Sequence, residues 1–195
     1  SWTDQRNAVF QEQTDTLDVR IWLSKRFNKL WRYDDVSVPK PCLLDRDKVI
    51  YWTKSKDQDK WVVHLKEGEN DKILLDPNKW EKTETLNVFT ASPDCKLAAI
   101  GKARAGDENP VLQVMDLETG KMLPDVFKGW RHGGVDWMHD NSGLFYSSRP
   151  IAENAPNGEK DYYHRAMFHP IGSDGSKDTI VLENQAVKEQ FHGAG

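Results

Sequence analysis

Six histidines, two cysteines and many carboxylates are the residues of this 195-residue sequence that could do chemistry, and their spacing builds no recognisable catalytic set. A serine nucleophile presented on a strand-to-helix turn needs G-x-S-x-G, because small flanking residues let the hydroxyl stand clear of a sharp bend. No such run occurs. The phosphate cradles G-x-x-x-x-G-K-[ST] and G-x-G-x-x-G, which bring backbone N–H groups up to an anion, are also absent. His64, His132, His139, His164, His169 and His192 contain no H-E-x-x-H pair, the helical spacing that puts two imidazoles on one zinc. His164 and His169 lie five apart on a predicted strand, and an odd spacing sends strand side chains to opposite faces. The histidines therefore read as surface or hydrogen-bonded residues, with no metal and no cofactor expected. Carboxylate pairs such as Asp34-Asp35 and Asp45 with Asp47 read as solvated turns, where Asp accepts backbone hydrogen bonds. Trp52, Trp61 and Trp137 stand at strand positions and read as core aromatics rather than a binding platform. Cys42 and Cys95 are too few and too far apart for a disulfide framework or a zinc site, and both are expected as reduced thiols.

The surrounding composition excludes further classes. Hydrophobic residues make up 37% and charged residues 30%, with eight tryptophans, which is the composition of a folded chain. The formal charge of −4 arises from 27 basic and 31 acidic residues in mixed order, so there is no basic stripe and no nucleic-acid partner is expected. No run of 18 apolar residues and no signal-peptide pattern occurs, so no membrane partner is expected either. No Asn-x-Ser/Thr acceptor is present. A cytoplasmic location is the expectation.

Two kinds of element must position these residues. No Gly or Pro interrupts residues 1–38, and Trp2, Val9 and Phe10, then Leu23, Phe27, Leu30 and Trp31, are spaced to share helix faces. Thr14-Asp15-Thr16 predicts a cap and a break between two amphipathic helices that cover a core. Pro39 and Pro41 then rule out helix and predict an extended lead-in. Beyond it come short β-rich runs separated by turns, with strands expected at 48–53, 61–65 and 73–75, at 86–90, 97–102 and 111–116, and at 134–137, 144–148, 162–169 and 178–182. The loop 150–160, with two prolines, is expected to be a mobile surface excursion. Val49, Leu97 and Leu144 fall 48 and 47 residues apart in similar turn-Asp-strand contexts. Gly68, Gly120 and Gly172 repeat at 52. Both spacings match a propeller blade. The expected fold is mainly β: an N-terminal helical segment, 1–35, then a partial β-propeller, 36–195, with about three four-stranded blades at 42–77, 86–125 and 132–183.

A family resemblance adds to this. Ile73-Leu74-Leu75-Asp76-Pro77-Asn78 resembles the I-L-L-D-P-N that closes the first blade of prolyl oligopeptidases, and Ser92-Pro93-Asp94 resembles their S-P-D-G. Val114 to Asp125 is similar to V-x-D-x-x-T-G-x-x-L-P-D, and Trp137-Met138-His139-Asp140 to W-T-H-D. Phe145-Tyr146-Ser147 with Arg149-Pro150 resembles F-Y-S-R-Y-P, and Tyr162-Tyr163-His164-Arg165 resembles Y-Y-H-R. Six such matches occur in order over nearly the whole chain. The resemblance implies the N-terminal part of a cytosolic serine peptidase that cuts short peptides after proline, its α/β-hydrolase domain capped by a seven-bladed propeller that restricts access by size. The family's Ser, Asp and His lie in the hydrolase domain, so no catalytic residue carries over to this chain, which is expected to be inactive alone. Three places depart from the pattern, one of them Ala105-Gly106-Asp107-Glu108-Asn109, where the family has G-G-S-D-W. The S-P-D-G glycine is Cys95, and the family's K-F-S, whose aromatic lines the substrate pocket, falls on Arg131-His132-Gly133, placing His132 at the substrate-pocket position. The alternative is a stand-alone propeller-like interaction module without catalysis. In either case exposed blade faces predict self-association or a protein partner.

Overall fold

The computed structural model describes residues 1–107, 109–150, 155, 158–159 and 161–193. Helix α1 (Trp2–Thr14) and helix α2 (Asp18–Trp31) are followed by strands paired into three antiparallel sheets. The helix break falls where expected, but its chemistry differs. The residue just before α2 is Leu17, which offers no side-chain cap, while the Thr14 hydroxyl donates back to the Phe10 carbonyl at 2.7 Å.

Neither helix contains a buried residue, which corrects the expectation that they cover a core. Trp2, Phe10, Trp22, Phe27 and Trp31 all stand exposed. The physical reason is that sheet-forming segments satisfy one another. Near the end of α2, Phe27 and Trp31 share a cleft with Lys54 and Lys56, while Arg20 in its first turn reaches Asp15 and the Phe10 ring.

The first sheet runs β1 (Asp35–Val36), β3 (Lys48–Lys54), β4 (Val62–Glu67) and β5 (Asn70–Leu75), with β2 (Lys40–Pro41) also on β3. The proline-bearing lead-in thus supplies short edge strands, since Pro is tolerated at a sheet edge. The second sheet is β6 (Glu84–Ala91), β7 (Leu97–Arg104), β8 (Val111–Asp116) and β9 (Met122–Phe127). The third is β10 (Trp130–Trp137), β11 (Gly143–Ser148), β12 (Arg165–Pro170) and β13 (Thr179–Glu183). Each sheet is a meander whose outer hairpin turns at Gly68, Gly120 or Gly172 with φ of +57°, +71° and +82°. Glycine recurs there because a left-handed turn residue carries no steric penalty without a Cβ. Most of the loop 150–160, expected to be mobile, lies outside the described residues.

The core lies between the sheets. On β7 and β8, alternate residues point to opposite faces. Ala98, Ile100 and Met115 join Ile50, Val63 and Leu75 of the first sheet. Ala99, Leu112 and Val114 join Val135, Leu144 and Met167 of the third. The middle sheet is therefore apolar on both faces, as its near-continuous run of small and aliphatic residues requires. No helix of the described residues is long and apolar enough to cross a membrane.

Cys42 and Cys95 are joined by a disulfide, with Cα atoms 5.8 Å apart, which overturns the reading of both as reduced thiols. Cys42 follows β2 on the first sheet, and Cys95 sits in the β6–β7 turn of the second. Stacking the sheets brings to one rim two residues that are 53 apart in sequence.

Candidate functional site

His132 lies in β10, inside a stretch where pairing to β11 slips between Trp130 and Val135. Such bulges re-aim side chains and recur next to active sites. The His132 side chain is outside the described ones. The next residue shows why the strand is distorted: a Cβ on Gly133 would overlap the Ser147 side chain, so only glycine fits there. Beside it, Arg131 places Nη1 2.8 Å from Asp161 Oδ1. Arg149, nearly buried, bonds the same carboxylate and also the Asn109 side-chain carbonyl, with its backbone N–H donating to Gly129 at 3.0 Å. Two guanidinium groups share one carboxylate there, and the Asp107 carboxylate also feels the charge of Arg131. Arg131 and Arg149 fall in two different stretches of the family pattern, and Asp161 lies after a long loop. The convergence is visible only in three dimensions.

A second polar cluster is buried between the second and third sheets. His169, on β12 and fully buried, directs Nδ1 to Asp178 Oδ1 at 2.6 Å and Nε2 to Asp125 Oδ1 at 3.2 Å. The Gly172 N–H donates to Asp125 at 2.5 Å, and the Tyr146 hydroxyl donates to Asp178 at 2.7 Å. The Phe127 ring packs on both Tyr146 and His169. Burial, the largest influence on His169, favours the neutral ring, but the hydrogen bonds and charges of Asp178 and then Asp125 together hold its pKa above the ordinary value. Burial and then the bond to Asp178 push the Tyr146 phenol strongly up. Chemically this is an ionic lock rather than a catalytic relay: both ring nitrogens are committed to carboxylates, none to a serine hydroxyl, and solvent does not reach the ring.

The remaining candidates separate. His164 falls before β12 and stacks near Phe191, while His169 points into the seam, so the two do not meet. His64 stacks on Tyr51 and lies 3.4 Å from Asp71. The Tyr51 hydroxyl donates to that same carboxylate, and this bond, with burial behind it, pushes the phenol up to about 12. Trp52 meets Phe89 edge-on across the first seam, and Trp137 donates its indole N–H to the Thr90 carbonyl at 2.9 Å across the second. Both are packing residues, as expected, whereas Trp61 is 37% exposed and lines a cleft with Trp52, Lys60 and Pro77. Among the described residues no group of three His, Cys, Asp or Glu is arranged to hold a metal ion.

A family model described as "Prolyl oligopeptidase, N-terminal beta-propeller domain" matches residues 1–195. The chain belongs to that family. It is 26% identical over 200 residues to a prolyl endopeptidase of Elizabethkingia meningoseptica, covering the whole of this chain and 28% of the relative. It is also 26% identical over 161 residues to prolyl oligopeptidase A of Galerina marginata, covering 73% of this chain and 22% of that one. A solved structure from a study of two prolyl endopeptidases superposes with a TM-score of 0.83 and 30% identity, over 94% of this chain and 28% of the other. The fold also matches prolyl oligopeptidase B of Galerina marginata, with a TM-score of 0.79 and 18% identity, over 94% of this chain and 29% of that one. The chain thus spans under a third of the length of the relatives it matches. A match running the full length of the sequence favours the propeller domain of a peptidase over a stand-alone interaction module.

Proposed function

We propose that residues 1–195 serve as the substrate-gating propeller portion of a prolyl-oligopeptidase-type serine endopeptidase, in which a hydrolase domain supplies the Ser-Asp-His chemistry. The observation that carries this reading is the family match over the entire chain. Within it, residues 1–35 act as the helical arm and 36–195 as the blades. His132, on its bulged strand beside Arg131 and Arg149, takes the substrate-pocket position. A histidine there favours hydrogen bonding to peptide carbonyls over the packing a purely hydrocarbon ring would give a proline. The setting is cytoplasmic, as composition suggests. Exposed apolar residues on the helices and on β13, including Ile180 and Leu182, support self-association of the isolated chain.

The test replaces the corresponding segment of the Elizabethkingia meningoseptica relative with this chain. The chimera is expected to cleave a short fluorogenic Gly-Pro peptide and to spare an unfolded polypeptide, while the chain alone cleaves neither. A chimera that degrades both substrates equally would show that the blades do not gate. Turnover by the chain alone, surviving repurification and serine-protease inhibitor controls, would overturn the assignment of chemistry to another domain.

A further inference from the structure

We propose that Cys42 and Cys95 form a thiol–disulfide exchange site that clasps the first sheet to the second, and that a dithiol reductant opens it. These are the two cysteines of the sequence, and both are buried, at 3% and 5% exposure. Their bond ties a segment on the first sheet to the β6–β7 turn of the second, where the Leu44 N–H donates to the Pro93 carbonyl at 2.8 Å. Otherwise the same seam is held by packing and by Lys72, whose ammonium donates to the Leu117 carbonyl at 2.9 Å.

Cys95 occupies its turn at a steric cost. Its φ is +54°, in the left-handed region that glycine enters freely and a residue with a Cβ does not. A non-glycine residue persists there where its surroundings over-determine it. The turn holds it there through the Cys95 N–H bond to the Ser92 carbonyl at 2.8 Å and the Lys96 N–H bond to the Asp94 carboxylate, and the bond to Cys42 adds a covalent tie at the same residue. A cavity of about 380 Å³, walled by both cysteines, Phe89, Ser92 and Trp137, leads to the bond and gives a small dithiol its approach.

The exchange balances within the pair and the reductant. A reductant thiolate attacks one Sγ, the S–S bond breaks, and the electron pair left on the other Sγ takes a proton. The reductant's second thiol then displaces the remaining cysteine as a thiol, and the reductant leaves as its own disulfide. Two electrons and two protons have passed to the protein. In a reducing compartment such bonds are transient and redox-sensing rather than structural. In the reduced form the first sheet, with the helical arm joined to it, is held to the second by non-covalent contacts and by the chain between β5 and β6. This property belongs to the seam itself and does not depend on the peptidase reading.

The experiment compares the oxidised chain with the same chain reduced by dithiothreitol. Mass spectrometry after iodoacetamide should show no alkylation before reduction and two alkylations after it. Native-state hydrogen exchange should show the Leu44 amide exchanging about tenfold faster or more on reduction, with the Phe145 and Tyr146 amides of the third sheet unchanged. Two alkylations without reductant, or Leu44 exchange that ignores reduction, would overturn the proposal. A Cys42→Ser/Cys95→Gly chain should match the reduced protein with or without dithiothreitol, and a Leu44 amide in it that still responds would equally count against the clasp. Should that variant fail to fold, reduction of the unaltered chain decides the question.

Discussion

Replacing His169 with leucine removes the imidazole from between Asp125 and Asp178 and leaves two buried carboxyl groups without that partner. Asp125 and His169 are fully enclosed, and the bonds to be lost are 2.6 and 3.2 Å long. Breaking one side of a buried, hydrogen-bonded ion pair costs about 3–5 kcal/mol. With a urea dependence of about 2 kcal/mol per molar, the unfolding midpoint should fall by about 1.5–2.5 M. Tryptophan fluorescence is a direct assay, because Trp130 and Trp137 pack at the same seam. The pH dependence gives a second, sharper readout. His169 has its pKa raised in the folded chain, so its contribution is complete below the ordinary imidazole value, about 6.5, and is lost as pH rises through the raised one. The unaltered chain should therefore lose stability on going from about pH 6 upward, and His169→Leu should lack that component. The other charged groups near the cluster are Asp174 and Arg165, which feel its charges more weakly. A midpoint shift under about 0.5 M, or a variant that keeps the same pH slope, would show that the lock does not hold the seam.

Other substitutions test the packing around it. Leu112→Ala, fully buried on the face toward the third sheet, should cost about 2–5 kcal/mol in urea unfolding. At Gly143 a Cβ would sit 2.7 Å from the His169 carbonyl and against the Phe168 ring, so Gly143→Ala should cost about 1–3 kcal/mol and raise amide exchange along the β11–β12 pair. Gly172→Ala, at φ +82° with open space around it, tests backbone strain alone, and about 1 kcal/mol is the expected loss. Trp137→Phe deletes the indole bond to Thr90 while keeping an aromatic ring, for about 0.5–1.5 kcal/mol by the same measurement.

What could be read from the sequence was whatever repeats locally. Gly68, Gly120 and Gly172 mark equivalent hairpins because one backbone conformation demands one residue type, and the alternating aliphatics of β7 and β8 report burial on two faces. Cys42 and Cys95 were misread because separation along a chain says nothing about separation across stacked sheets. Their one local sign was a cysteine where the S-P-D-G turn has glycine. His169 shows the same limit: strand alternation separates it correctly from His164, but its partners Asp125 and Asp178 arrive from the end of β9 and from beyond the Gly172 turn. The helices mislead for the opposite reason. Their apolar spacing is real, yet none of those side chains is buried among the described residues.

Ala98 and Ala99 are consecutive residues that face different seams, one toward the first sheet and one toward the third. Energetically the sheets form a row in which each interacts only with its neighbours. A disturbance at one end reaches the other only through what it does to the middle. A methyl group added at either alanine would therefore wedge apart one boundary and leave the other closed, so two adjacent codons give independent handles on which end of the row comes loose first.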